Sequence, residues 1–156
     1  MSAADRLPAD RVDPRGPRFG AGITAVLLLV DFVLAVGGAP LAALILTAAL
    51  ALLFAWGAFA GIRRHPWGRI YARFVRPRLA PPAETEDVRP PTFAQGVGFV
   101  ITALGVLLAL VGVPAALPVA IALAFIAAFL NSVFGFCLGC AMYLGLARAF
   151  PRLVGV

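Results

Sequence analysis

The sequence predicts an all-α, polytopic membrane protein. It has four transmembrane helices arranged as two hairpins, with a short interfacial amphipathic helix in the loop between them. Three observations carry this reading. Hydrophobic residues make up 62% of the 156 residues, above the roughly 45–50% of ordinary soluble domains. They fall in four uncharged or nearly uncharged runs, each close to or above the roughly 20 residues that cross a bilayer core of about 30 Å. All 13 basic residues are arginine, and they gather in the segments outside those runs.

Residues 1–18 form a polar tail in which Arg6, Arg11, Arg15 and Arg18 alternate with aspartates. A secretory signal has a basic start and a short apolar stretch, so the longer run that follows is read as a retained first span. That span covers residues 19–36, and Gly37-Gly38-Ala39-Pro40 turns the chain into a second span over 41–62. A polar loop occupies 63–91. Within it, Trp67, Ile70, Tyr71 and Phe74 recur at helical spacing, with Arg69 and Arg73 off that face. Pro66 suits a helix start. The pattern predicts an interfacial helix with its aromatics at headgroup depth. The rest of the loop is proline-rich and charged, hence extended. A third span covers 93–113. The fourth run, 117–150, is too long for one straight helix, and twenty residues from Leu117 already reach Cys137 at about 1.5 Å each. The segment beyond is expected to bend or lie along the interface, with Gly135 and Gly139 as candidate bend points. In lipid every backbone group is bonded internally, so the spans are helices.

The arginines also predict an orientation. The tail, the central loop and the C-terminal end (Arg148, Arg152) are basic, and the two tight turns are uncharged. By the positive-inside rule both termini face the cytoplasm of a bacterial inner membrane. The net charge of +6 is accounted for by these flanks, and no interleaving of aromatic and basic residues suggests nucleic-acid binding. Two stretches suggest a parallel duplication: residues 17–23 resemble 91–97, and 57–61 resemble 135–139.

Chemistry centres on Cys137 and Cys140, the only cysteines. A Cys-x-x-Cys pair lets one thiolate attack a disulfide and the second resolve the product. A helix start beneath Cys137 would raise its thiolate fraction. The same residues also suit plain helix packing, where small side chains are favoured. A zinc site needs about four ligands, and the two thiols with distant His65 supply too few within one chain. Asp31 lies about 18 Å along the first span, where a carboxylate is costly. It is read either as functional or as near enough to the outer turn to reach water. Asn131 and Ser132 suit hydrogen bonds between helices, and His65 reads as an interfacial residue. A transport path would need Asp31, Thr47 and Asn131 together. No nucleotide-binding or metalloprotease motif implies a cofactor.

The stretches Val12-Asp13-Pro14-Arg15 and Arg89-Pro90-Pro91-Thr92-Phe93-Ala94-Gln95, with residues 131–140, resemble the bacterial membrane family called domain of unknown function 4395. The resemblance covers nearly the whole chain and implies a fold and a thiol motif, with no settled reaction. It also implies a separate thioredoxin-like or sulfurtransferase partner. The expected functions are a thiol–disulfide or persulfide relay, or a non-catalytic membrane scaffold or assembly factor. The expected surroundings are the lipid bilayer, with a homo-oligomer as one allowed state.

Overall fold

The computed structural model describes residues 10–150. Arg6 and Arg152, used above for orientation, lie outside them. Strand β1 (Arg11–Val12) leads into α1 (Arg15–Val36), and a tight turn joins α1 to α2 (Pro40–Ala60). A 3₁₀ turn (Ile62–Arg64) precedes α3 (Pro66–Ile70), which widens into a π turn (Tyr71–Val75). After β2 (Glu86–Asp87) come α4 (Arg89–Leu110) and α5 (Ala116–Phe129), the latter extended by a π turn (Leu130–Phe134). Helix α6 (Leu138–Ala149) ends the fold. Four of these helices are long and apolar enough to cross a membrane: Arg15–Val36, Pro40–Ala60, Arg89–Leu110 and Ala116–Phe134.

The helices start earlier than the apolar runs, because polar side chains nucleate them. Asp13 accepts from the Arg15 backbone N–H at 3.0 Å and from its guanidinium Nη2 at 2.9 Å. Asp87 does the same for Arg89, at 2.8 and 2.7 Å. Each aspartate thereby satisfies a first-turn donor that has no partner within the helix. The prolines that follow, Pro17 and Pro91, remove donors the first turn leaves unpaired. Residues 89–91, expected in the extended loop, thus belong to α4.

This parallel is one instance of a general one. The second half repeats the first at a constant offset of 74 positions, pairing Asp13 with Asp87 and Arg15 with Arg89. Gly38 and Gly112 have φ of 89° and 93°, and Gly61 and Gly135 have 85° and 68°. Only glycine adopts these values without strain, so each pair marks the same chain reversal. The buried positions match too: Ala43 with Leu117, Thr47 with Ile121, Leu50 with Ala124 and Leu28 with Thr102. β1 and β2 pair antiparallel, Arg11 with Asp87 and Val12 with Glu86. Val12 and Glu86 are themselves equivalent, so the pair sits on a pseudo-two-fold axis. The structure corrects one sequence match: the partner of Gly61 is Gly135, not Gly139.

The broadest helix contacts run between the halves, α2 on α4 and α1 on α5, which are equivalent under the repeat. The core is Leu28, Ala43, Leu50, Leu117, Ile121 and Ala124. Outward-facing residues such as Val26, Leu52, Leu107 and Val119 are exposed and apolar, a surface compatible with a lipid environment. Gly105 lets α4 and α5 close up, since a Cβ there would lie 2.4 Å from the Ala120 Cβ.

The equivalent place on α1 is Asp31, which is fully buried. Its Oδ2 lies 2.7 Å from the Thr47 hydroxyl, which is also 2.9 Å from the Ala43 carbonyl. Its Oδ1 has no hydrogen-bond partner among the described residues. Asp31 therefore does not reach water at the outer turn, as one reading expected; it ties α1 to α2.

The loop helix also differs from expectation. Tyr71 is 4% exposed and lies over Gly16, whereas Ile70 and Phe74 are exposed. The aromatic face is therefore split. Trp67 and Tyr71 turn in toward the glycines of α1, and Ile70 and Phe74 turn out.

Candidate functional site: a dithiol at the wall of an inter-repeat cavity

After Gly61 and again after Gly135 the chain starts a short helix, and a side chain caps it. In the first half His65 caps α3, its Nδ1 accepting from the Trp67 N–H at 3.3 Å. In the second half Cys137 caps α6, its Sγ accepting from the Cys140 N–H at 3.3 Å. Gly135 makes this possible. Its N–H donates to the Asn131 carbonyl at 3.1 Å, and the next N–H, of Phe136, donates to Leu130 at 3.2 Å. These bonds close the π turn and leave Cys137 extended, at φ −90° and ψ 103°. The bend falls at Gly135. Gly139 is no bend: it lies inside α6, where a Cβ would come 2.5 Å from the Ala94 Cβ.

Both cysteines are free and half-buried. Hydrogen bonds from the Cys140 thiol, and then from its backbone N–H, draw the Cys137 thiol down to about 7 against the opposing effect of burial. A thiol at a helix N-terminus is the setting in which such lowering is common. Cys140 moves the other way: its bond to Cys137, then burial, push its thiol up. Glu86 on β2 adds a negative charge that raises both thiols. The pair is thus asymmetric, with one sulfur poised as thiolate and the other held as thiol.

Cys137 lines a cavity of about 470 Å³ between the repeats, at the arginine-bearing end. Its walls come from α1, α4, α5 and the two short helices, and His65, Tyr71, Asp13 and Asn131 also reach it. Asp31 and Thr47 do not line it, so the three residues of a transport path are not brought together. Asn131 makes no side-chain hydrogen bond among the described residues, so the expected cross-helix bond is absent there.

A polar strap, Asp13 bonded to Tyr71 and Arg15, forms part of the cavity wall. Asp13, 4% exposed, accepts from the Tyr71 hydroxyl at 3.0 Å and from Arg15. Burial alone would raise the Asp13 carboxyl, but the bonds from Arg15 and Tyr71 outweigh it and hold the group below its usual range. Burial raises Tyr71, and its bond to Asp13 adds to this. His65, also 4% exposed, is buried in the wall and not interfacial. Burial pushes its imidazole below the ordinary value, against a bond to the Leu53 carbonyl.

Sequence reasoning had picked out Cys137, Cys140 and Asn131. It missed Asp13, Glu86 and the burial of His65 and Tyr71. The doubled Asp-x-Arg at an offset of 74 was the available signal for Asp13.

These features define a class: a small, internally repeated bundle of apolar helices, with a dithiol at the start of a short helix and on the wall of a cavity between the repeats. The chain belongs to the family described as a domain of unknown function, DUF4395, whose model matches residues 12–148. The match spans both Asp-x-Arg turns and the dithiol. No curated protein and no solved structure matches the chain.

Proposed function

We propose that this protein is a thiol–disulfide relay of a bacterial inner membrane, working on the cytoplasmic side through Cys137 and Cys140. The observation that carries the reading is the Cys137 sulfur at the N-cap of α6, accepting the Cys140 N–H. In the relay, the Cys137 thiolate attacks a disulfide of a thioredoxin-like partner. A Cys137–partner S–S bond forms, the partner's own S–S bond breaks, and its second sulfur leaves as a thiolate. Cys140 then gives up its proton and attacks Cys137 Sγ, releasing the partner as a dithiol and leaving the Cys137–Cys140 disulfide. A persulfide delivered to Cys137 is opened by the same attack, with hydrosulfide as the leaving group.

Cytoplasmic orientation is supported by the arginines around the cavity and by the absence of charge in the two opposite turns. The test is Cys140→Ser, which removes the resolving thiol. A mixed disulfide should accumulate at Cys137 in membranes, and its absence under mild oxidants would defeat the relay. The scaffold reading draws on the close approach of Gly139 to Ala94. Under it, replacing both cysteines by alanine would leave stability and function unchanged.

A further inference from the structure

Helix α4 closes on α2 where Gln95 meets Gly57 and Gly98 meets Phe54, and on its other side it approaches α5 and α6 closely at two levels. Ala94 meets Gly139 of α6, and Gly105 meets Ala120 of α5. Between those levels Val97 and Ile101 face the cavity instead. The cavity wall also includes Leu123 and Met142, which are 52% and 50% exposed. Leu123 lies well inside a membrane-length helix, so the cavity has a side window at bilayer depth. A molecule dissolved in the lipid can reach the Cys137 sulfur without crossing the polar strap.

Four residues line the cavity with polar side-chain atoms that make no hydrogen bond among the described residues: Thr24 on α1, Asn131 beyond α5, Trp67 through its buried Nε1 and Gln95 through its buried Oε1. The Thr24 hydroxyl, the Asn131 amide and the Trp67 indole N–H are donors suited to a carbonyl oxygen. The volume falls in the range of small-molecule sites, roughly 300–1,000 Å³. Phospholipid tails offer nothing to these donors and nothing to a dithiol.

We propose that this cavity takes a membrane-dissolved quinone through the window between α4 and α5, and that the quinone accepts two electrons from the Cys137–Cys140 dithiol. The proposal rests on the relay reading, run in the reverse sense: a partner dithiol reduces the Cys137–Cys140 disulfide by thiol–disulfide exchange, and the quinone reoxidises the resulting dithiol. The Cys137 thiolate adds to the quinone ring, forming a C–S bond, and one ring oxygen takes up a proton. Cys140 passes its proton to the second oxygen and attacks Cys137 Sγ. The C–S bond breaks with its electron pair left on the ring. Dithiol and quinone thus become disulfide and hydroquinone, with two electrons and two protons transferred.

The test uses the reduced full-length protein in phosphatidylcholine nanodiscs, without oxygen. One sample contains a short-tailed ubiquinone, one a soluble disulfide, and one neither. Disulfide formation is read by maleimide mass-tagging and hydroquinone by absorbance. Stoichiometric oxidation by the quinone is expected. An azido-quinone should label peptides carrying Val97 or Ala127. Val97→Trp, checked for folding by circular dichroism, should slow the quinone reaction roughly a hundredfold, as misplacement of a reacting partner does. Oxidation by the soluble disulfide but not by quinone would overturn the proposal and leave the relay standing. Oxidation by neither would overturn both. Label found only outside the cavity, or phospholipid retained there in place of quinone, would also overturn it.

Discussion

Replacing Cys140 by alanine should raise the Cys137 thiol, by an amount that can be worked from its partners. At a pKa of about 7, roughly half of Cys137 is thiolate at pH 7. A thiol at its ordinary value of 9.0 would be roughly one part in a hundred thiolate. The largest contribution to the lowering is the Cys140 thiol bond, and the backbone N–H of residue 140 survives replacement by alanine or serine. A hydrogen bond to a charged group is worth about 1.5–3 kcal/mol, and one pKa unit corresponds to about 1.36 kcal/mol. Cys140→Ala should therefore move the midpoint up by about one to two units. The thiolate fraction at pH 7 should fall to roughly a tenth or less. Cys140→Ser, whose hydroxyl still donates, should move it less. The assay is the rate of iodoacetamide alkylation of Cys137 against pH in detergent or nanodiscs. A parent midpoint near 9, or one unmoved by Cys140→Ala, would refute the account of how this site is tuned.

Glu86→Gln removes the charge that raises both thiols, so the alkylation midpoint of Cys137 should shift down; an upward shift would contradict the placement of β2 beside the pair. Gly139→Ala forces a Cβ to 2.5 Å from Ala94 and should cost about 1–3 kcal/mol in thermal unfolding, partly recovered by Ala94→Gly. Tyr71→Phe removes a bond to Asp13 and should cost about 1 kcal/mol at neutral pH. Because the folded-state Asp13 carboxyl is lowered, its contribution is complete above its unfolded value. It is lost as the pH falls through the lowered one. Asp13→Asn should flatten this acid-side decline in melting temperature, and an unchanged profile would count against the strap.

Much of the fold was legible because lipid imposes a plain demand. Four apolar runs long enough to cross a bilayer are written openly in the chain, as are the arginines between them. The cysteine pair was visible for its isolation, and the start of a new helix beneath Cys137 follows from a run too long to cross straight. The remainder depends on what the helices meet. The cavity depends on how α4 meets its neighbours, closely at Ala94 and Gly105 with Val97 and Ile101 lining the space between those levels, and no local pattern encodes that gap. Tyr71 and Trp67 have the spacing of an interfacial helix. Gly16 and Gly20 of α1, about 50 positions away, are what draw them inward. Asp31 looked solvated because its partner Thr47 is a mild residue on another helix. The repeat was seen in fragments, and its second match slipped by four positions because apolar stretches align in several registers.

The repeat has a further consequence for how this chain can be divided. Each half supplies helices whose broadest contacts lie in the other half, so neither closes a core alone. Residues 79–85, between the last turn of the loop helix and β2, belong to no helix or strand. A gene split there would yield two fragments, each with a complete pair of long helices. Such fragments should be unstable singly and combine when co-expressed, held by the same faces that would join two copies of a half-sized ancestor. The halves would no longer be interchangeable. One has come to carry an imidazole at its helix cap and the other a thiol, a division of labour that a symmetric pair of identical chains could not make.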